Sequence, residues 1–529
     1  MSNKLLQRLT SSVFRIIGNF ASENKTGRGD IQAFYHGQTV DDLVINFMEE
    51  NNIPGLSVAI VQAPYITRVV GYGFADISTK RLVASNTMFN LGEMTTAYTA
   101  VAIMQLEEDN KLKLDDPIKN YLANIPKDWA NITIRELITH SSGIPSYIEA
   151  PGFDYSSEYS QEQIIKLVAN KPLLFHAGEQ VNKSATDFYL LGMIIEKTSG
   201  VSYEEFVTKH QFERMGLQNT CFISTLKHIK NEVNNNTHPF THNQFKTDPI
   251  YINPTEPATG YTVQDDKLVK VKMNSQSASF ANAAIISSAQ DVSIWDIGLA
   301  GGILVKNPKN REFLYNSITL KNGMKIPANA GWQFPGHRGL MFITGNVPGY
   351  STFLSRFTDP AELLCVTILA NKSNIEHLEV LAHQIAGAYN SKLATPASAE
   401  WATSMQSPYS VEETIKRLSE IILSNGGKVF AHIDHSSEAS KVDQELNATQ
   451  VILIGNPSKG TGLMKENGSI ALDLPLRAMA RQDDNGEIWL SITDPYKLAK
   501  EYGIHGKDKQ LKAMSDALLK AAKKAVQAY

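Results

Sequence analysis

Ile53-Pro54-Gly55-Leu56-Ser57-Val58-Ala59-Ile60-Val61-Gln62 is an almost unbroken apolar run, and Arg68-Val69-Val70-Gly71-Tyr72-Gly73-Phe74 follows after a short turn containing Pro64. β-Branched residues bounded by turn formers read as two paired strands, 56–62 and 68–74. The period then changes. Ala97, Ala100, Val101, Ile103, Met104 and Leu106 recur at helical spacing, which predicts a helix from about Thr95 to Asp109. Leu114-Asp115-Asp116-Pro117 closes that unit with turn chemistry.

Downstream the chain is helix-rich and broken by polar loops, above all 225–260, where Asn and His accumulate. Strand character returns at 352–357 and 363–370, and a helix is predicted over about 376–390. From Ser391 to Ser410 the sequence turns Ala/Thr/Ser/Pro-rich and loses periodicity, as linkers do. A fresh αβ unit follows: a helix capped near Ser410, with Glu412 and Glu413 in its first turn, then the strand Lys428-Val-Phe-Ala-His-Ile433. The predicted organisation is a first domain over 1–390, a linker over 391–407, and a small α+β domain over 408–529. Two domains also suit 529 residues, since one core stops growing at roughly 250–300.

Composition narrows the partners. Lys+Arg total 50 against 54 Asp+Glu, a formal charge of −4, so no general attraction to nucleic acid is expected. Cys221 and Cys365 lie in apolar surroundings, which excludes a disulfide-dense scaffold or a cysteine zinc site and predicts buried thiols. No segment is apolar for long enough to span a bilayer, and Gln7, Arg8 and Arg15 interrupt the N-terminal run, so a cleavable secretory signal is not expected and a cytoplasmic location is. Leu5, Leu6, Leu9, Val13, Ile16, Ile17 and Phe20 predict an amphipathic helix over about 3–20.

Residues 40–390 carry a series of words in family order: Ile-Pro-Gly-Leu-Ser-Val-Ala-Ile (53–60), Leu-Asp-Asp-Pro-Ile-Lys-Asn-Tyr-Leu (114–122), Ile-Thr-Ile-Arg-Glu-Leu-Ile-Thr-His-Ser-Ser-Gly-Ile-Pro (132–145), Leu-Leu-Gly-Met-Ile-Ile-Glu-Lys (190–197), Ile-Ser-Ser-Ala-Gln-Asp-Val (286–292), Gly331-Trp332 and Pro-Gly-Tyr-Ser (348–351). This stretch resembles the β-lactamase-related serine hydrolases, which include class C β-lactamases, penicillin-binding DD-peptidases and esterases. The resemblance implies an α/β half, an antiparallel sheet flanked by helices, packed on an all-helical half with the active site between them. Fold does not establish activity, so the site positions are compared one by one.

The family's first motif, Ser-x-x-Lys, opens a helix and supplies the nucleophile with a lysine one turn on. Here Phe89-Asn90-Leu91-Gly92 is followed by Glu93 in the serine slot and Thr96 in the lysine slot. Anchored on Gly178 and Leu190-Leu191-Gly192, the second motif places Lys183 where tyrosine is usual and Ala185 where asparagine is usual. The third motif aligns with Ile343-Thr344-Gly345, in which only the glycine survives. Loss of the nucleophile alone costs on the order of 10⁶ in turnover in a triad-type enzyme. Acyl-serine chemistry is therefore not expected.

The resemblance also predicts a Glu93–Lys183 ion pair, with two solvated charges in an open cleft as the alternative. Glu93 acting as base or carboxylate nucleophile is a third option. Ser141, Ser142 and Ser184 are conceivable substitute nucleophiles without an evident base, and His140 reads as a packing residue of its turn. Ile343 removes the usual cationic anchor for a substrate carboxylate, so Glu93, Thr96, Lys183 and Thr344 are expected to line a pocket for an uncharged or cationic small molecule or peptide.

Residues 408–529 resemble a small α+β family of unassigned function through Val-Phe-Ala-His-Ile-Asp-His (429–435), Ile-Gly-Asn-Pro-Ser-Lys-Gly-Thr (454–461), Ala-Leu-Asp-Leu-Pro-Leu-Arg (471–477) and Thr-Asp-Pro (493–495). His432, His435, Asn456 and Asp473 are its candidate site residues. Ligand spacing for a metal is lacking, and Gly-Asn-Pro with Lys459 falls short of a phosphate loop, so neither metal nor cofactor is expected. Lys507, Lys509, Lys512, Lys520, Lys523 and Lys524 read as the solvated face of a closing helix. The leading functional expectation is a catalytically silent binding or regulatory protein; the alternatives are a hydrolase with a rearranged site and an activity carried by the second domain.

Overall fold

In the computed structural model the described residues are 25–28, 33–226, 257–360, 362–395 and 402–528. The helix expected over about 3–20 lies outside them, as does most of the polar stretch 225–260. The chain divides into two compact units, Met1–Trp332 with Met341–Lys392, and Gln333–Leu340 with Leu393–Tyr529.

In the first unit, β1 (Lys25–Arg28), β2 (Gly55–Gln62), β3 (Tyr65–Asp76), β4 (Met341–Val347), β5 (Tyr350–Phe357) and β6 (Leu364–Ala370) form an antiparallel sheet in the order β1-β3-β2-β6-β5-β4. Both ends of the unit's sequence contribute, and β2 sits between β3 and β6, with Val58 opposite Val70 on one side and Ile368 on the other. Seven of its eight residues are buried, which is why the run is continuously apolar rather than alternating. Helices α1 (Val40–Glu50), α5 (Ala289–Ala300) and α6 (Leu378–Tyr389) flank the sheet. α1 opens on a capping box: Thr39 Oγ1 accepts from Asp42 N–H at 3.1 Å and Asp42 Oδ2 from Thr39 N–H at 2.9 Å.

The helical half is built on α2 (Thr95–Glu108), α3 (Ala185–Ser199) and α4 (Gln276–Ala283), packed against one another. α2 is buried from Thr95 through Leu106, a central helix rather than an amphipathic one. The glycine of Leu190-Leu191-Gly192 has a steric reason: a Cβ there would lie 2.5 Å from Phe280 Cε1. Phe280 itself breaks α4 with φ 35° and ψ −129°, its ring held against Tyr189 and Tyr203. A buried Arg356–Asp296 ion pair joins β5 to α5. Cys365 is buried beside it, as expected of a structural thiol, while Cys221 is half-buried.

In the second unit β7 (Ala402–Ser407), β8 (Lys428–Asp434), β9 (Thr449–Gly455), β10 (Leu476–Gln482) and β11 (Ile488–Thr493) form an antiparallel sheet in the order β7-β11-β10-β9-β8. Helices α7 (Val411–Ser424) and α9 (Asp508–Val526) pack on it through Ile415, Leu418, Ile452, Ala478, Leu490 and Ala522. Ser410 caps α7, its Oγ accepting from Glu413 N–H at 3.1 Å.

The linker reading of 391–407 is corrected here: Ala402–Ser407 is an edge strand, with Met405 opposite Leu490. Its small polar residues suit an edge strand, whose pairing comes from the neighbouring backbone rather than from an apolar pattern of its own. Gln333–Leu340 also belongs to this unit, and Arg338 N–H donates to Glu487 Oε1 at 3.4 Å. Lys509, Lys512, Lys520 and Lys524 are exposed along α9.

Candidate functional site

The first-motif positions sit where a 3₁₀ turn, Gly92–Met94, feeds α2. Gly92 has φ +57°, and Asn90 Oδ1 accepts its N–H at 2.8 Å, fixing the turn. Strand β4 passes against this turn because Gly345 has no side chain: a Cβ would stand 2.0 Å from Leu91 O and 3.1 Å from Glu93 N. The surviving glycine of the third motif is therefore a close-approach residue. Its successor, Asn346, donates its backbone N–H to Glu93 Oε2 at 2.6 Å. Glu93 and Asn346 are 253 residues apart in sequence, so the two meet only through the fold.

The lysine slot is closed. Thr96 is 1% exposed, and its Oγ1 donates to Glu93 O at 2.7 Å. A Cβ on Gly331 would stand 2.4 Å from Thr96 Oγ1 and 3.0 Å from Ile343 Cδ1. Ile343 is likewise 1% exposed. Thr96, Gly331 and Ile343 thus make a tight contact with no space for an amine.

The charged positions remain open. Glu93 is half-buried and Lys183 is exposed. The Glu93–Lys183 ion pair expected from the family pattern is not formed, and among the described residues no cation lies within ion-pair distance of Glu93. Ser146 Oγ accepts from Ala185 N–H at 3.1 Å, and Thr186 Oγ1 accepts from Tyr147 N–H at 3.0 Å, which docks the Ser146–Tyr147 turn on the start of α3, just after Lys183. On the Glu93 side, burial first and the nearby Glu93 charge further down the order push the Tyr147 phenol up. Burial and then Glu93 do the same to Tyr155. These tyrosines were missed in the sequence because they sit in loops without a motif; Asn346 was missed because its chemistry is that of its backbone.

His140 is a packing and hydrogen-bonding residue, as its turn suggested. It is 1% exposed, its ring lies 5.0 Å from Phe188, and its Nδ1 shares a hydrogen bond of 3.0 Å with Asp187 Oδ2. Ser142 Oγ donates to Asp187 Oδ1 at 2.5 Å. The carboxyl thus stands between serine and imidazole, the reverse of the order in which a base activates a nucleophile. Burial, and after it the Lys183 charge, pushes the imidazole down to about 3, and burial pushes the Asp187 carboxyl up, so the neutral forms are favoured in the fold. Ser141 Oγ is engaged with Thr139 Oγ1 at 2.9 Å. Ser184 is 1% exposed. None of the three serines combines access with a placed base.

The second unit separates its candidates. Lys428 pairs with Gly455 at one end of β8, and Asp434 with Gln450 at the other. His432, whose Nε2 meets Gln450 Oε1 at 3.0 Å, and His435, the first residue of a short helix, lie toward the Asp434 end. Asn456 lies at the opposite end, capping helix α8 (Pro457–Glu466). Asp473 pairs with Arg477 at 3.1 Å and accepts from Tyr502 Oη at 2.5 Å. The four do not form one site. In the first unit a separate cavity of about 890 Å³ is lined by Thr139, Ser141, Gly178, Phe313, Lys321 and Asn329 among others, and by none of the motif positions. Among the described residues no helix is long and apolar enough to cross a membrane.

Comparison with known proteins agrees with this geometry. Residues 40–390 match the beta-lactamase family model, and residues 403–522 match the domain of unknown function DUF302. Protein flp of Staphylococcus aureus (strain MW2) is 22% identical over 361 residues, 64% of this chain, which spans 65% of that relative's length. Penicillin-binding protein 4* of Bacillus subtilis (strain 168) is 26% identical over 309 residues, 57% of this chain and 64% of its own. Among solved structures, the octameric penicillin-binding protein homologue of Pyrococcus abyssi superposes with TM-score 0.54 at 20% identity, covering 85% of this chain and 89% of that one. The D-amino acid amidase of Ochrobactrum anthropi SV3 gives TM-score 0.53 at 16% identity over 66% of this chain and 97% of its own. Sheet order and helical half accord with the family match over residues 40–390, more than half of the chain: the chain belongs to the beta-lactamase family.

Proposed function

We propose that this protein is a ligand-binding or regulatory member of its family that forms no acyl-serine intermediate. The observation that carries the reading is the 2.6 Å bond from Asn346 N–H to Glu93 Oε2. A backbone donor at the edge of the cleft would otherwise be free to polarise a substrate carbonyl; here the chain's own carboxylate takes it. The same side chain replaces the attacking hydroxyl, and Thr96 offers no amine to accept a proton. Glu93 takes up the donor and stands in place of the nucleophile while Thr96 replaces the base, so restoring one element does not restore the reaction.

The test is to incubate the full chain with a fluorescent penicillin and a generic aryl ester. We expect no covalent adduct by mass spectrometry and no burst of product. An adduct on any serine, or ester turnover that disappears in Glu93→Ala, overturns the reading in favour of a hydrolase with a rearranged site.

A further inference from the structure

The cavity of about 890 Å³ that avoids the motif positions has pinned walls. The loop carrying Gly178 is tied on both sides: Gly178 N–H donates to Ser141 O at 2.8 Å, and Lys321 N–H donates to Gly178 O at 2.9 Å. Two ion pairs close among the lining residues themselves. Arg135 Nε and Nη2 meet the Asp115 carboxylate at 2.6 and 3.1 Å, and Lys321 Nζ meets Glu136 Oε1 at 2.8 Å. The neutral polar groups of the wall are less completely matched. Asn329 is 1% exposed, and its Nδ2 donates to Phe313 O at 2.5 Å and to Asn316 O at 3.4 Å. Both carbonyls only accept, which fixes the orientation of the amide. Its Oδ1 has no hydrogen-bond partner among the described residues. Ser141 is in a related position. Thr139 Oγ1 gives its proton to Arg135 O at 2.7 Å, so in the 2.9 Å contact between the two hydroxyls Ser141 donates and keeps its own lone pairs.

We propose that this cavity is a second binding site, separate from the cleft, and that it takes a small neutral polyol of sugar size. A buried acceptor without a donor is unfavourable, and a ligand hydroxyl supplies the proton that Asn329 Oδ1 lacks. A purely apolar occupant would leave that oxygen orphaned. A charged occupant has no deep counter-ion to meet: Arg135 and Lys321 already face Asp115 and Glu136, and the other charged groups of the wall, Asp128, Lys309 and Glu312, are exposed and of both signs. Hydroxyls also accept, and Arg135 Nη1 makes no hydrogen bond among the described residues. The half-buried Phe313, with the Arg135 guanidinium 5.3 Å from its ring centroid, stands beside the half-buried Leu173 and Ile318. Together they offer the apolar surface that the C–H face of a sugar ring covers. The volume also falls within the roughly 300–1,000 Å³ of small-molecule sites.

Saturation-transfer NMR and titration calorimetry on the full chain with methyl α-glucoside, maltose, glucose 6-phosphate and toluene test this. At least one of the two neutral sugars is expected to bind saturably, with glucose 6-phosphate no tighter and toluene not bound. Asn329→Leu, which removes the orphaned acceptor, and Phe313→Ala, which removes the apolar platform, are each expected to weaken that sugar about tenfold. Asn329 also holds two backbone carbonyls, so circular dichroism checks the fold of both variants; where Asn329→Leu does not fold, Phe313→Ala at its half-buried position decides. The proposal is overturned if neither neutral sugar binds saturably, if glucose 6-phosphate or toluene binds more tightly than both, or if the folded variants bind the sugar as the unaltered chain does. These outcomes are independent of penicillin labelling, which reports on the cleft alone.

Discussion

The floor and the mouth of the cleft have been altered in opposite ways. At the floor, Thr96, Gly331 and Ile343 close into tight, buried contact. At the mouth, Glu93 and Lys183 bring opposite charges, keep them apart and leave them reachable. Unselected drift would leave both regions loosely packed, with unpaired groups at random depths. Instead the buried half obeys the packing rules of a core and the open half obeys the solvation rules of a surface. The depth of the site is closed while a charged rim remains.

The sharpest way to break this comparison is to put an amine back at the floor. Thr96→Lys buries an unpaired charge against Gly331 and overfills the contact, and is expected to destabilise the first unit by about 3 kcal/mol or more, read from its urea unfolding transition. A mild effect would mean the floor is not packed as described. Gly345→Ala comes next: its new methyl meets Leu91 O, so β4 must withdraw from the turn carrying Glu93, at about 2 kcal/mol. Loss of the Glu93–Asn346 bond in that variant is measurable as faster amide exchange at Asn346.

Ser142→Ala removes the donor to a fully buried carboxyl and is expected to cost about 1–3 kcal/mol. At the mouth the expectation reverses. Glu93→Gln keeps an acceptor for Asn346 N–H and Lys183→Met removes an exposed charge, so each should change stability by no more than about 0.5 kcal/mol. The smallest effect concerns Cys221, whose thiol burial pushes up to about 12. The folded state favours the protonated thiol, a preference present below the ordinary thiol range near 8.5 and lost as pH rises through about 12. Alkylation of the native chain at pH 8 should therefore leave Cys221 unmodified by peptide mass mapping.

Much of this architecture is visible in the sequence because burial writes itself into composition. β2 reads as a strand since it is covered on both faces, and Ser410 reads as a cap because its hydroxyl has a specific partner three residues on. Motif anchors in the sequence supply the expected correspondence of Glu93, Thr96, Lys183 and Ile343 with the family's site positions. What they could not supply was distance. Whether Glu93 meets Lys183 or Asn346 depends on how close β4 comes to the turn, and that is set by two glycines more than 250 residues apart, Gly92 and Gly345. Strand β7 was hidden for a related reason: an edge strand of Ala, Thr and Ser borrows its conformation from β11 and has the composition of a tether.

The assignment of Gln333–Leu340 to the second unit bears on how the chain is made. Domains generally fold as units as they emerge during synthesis. Here, by the time Lys392 has been added, all of the first unit's sequence exists, while the eight-residue segment within it still awaits a unit encoded in the last 137 positions. Maturation is thus stepwise, with the segment unclaimed in the interval. A stop codon in the linker would yield a protein whose first unit is complete in sequence yet carries an orphaned strip of the other, a ready target for proteases or chaperones that survey unfinished products.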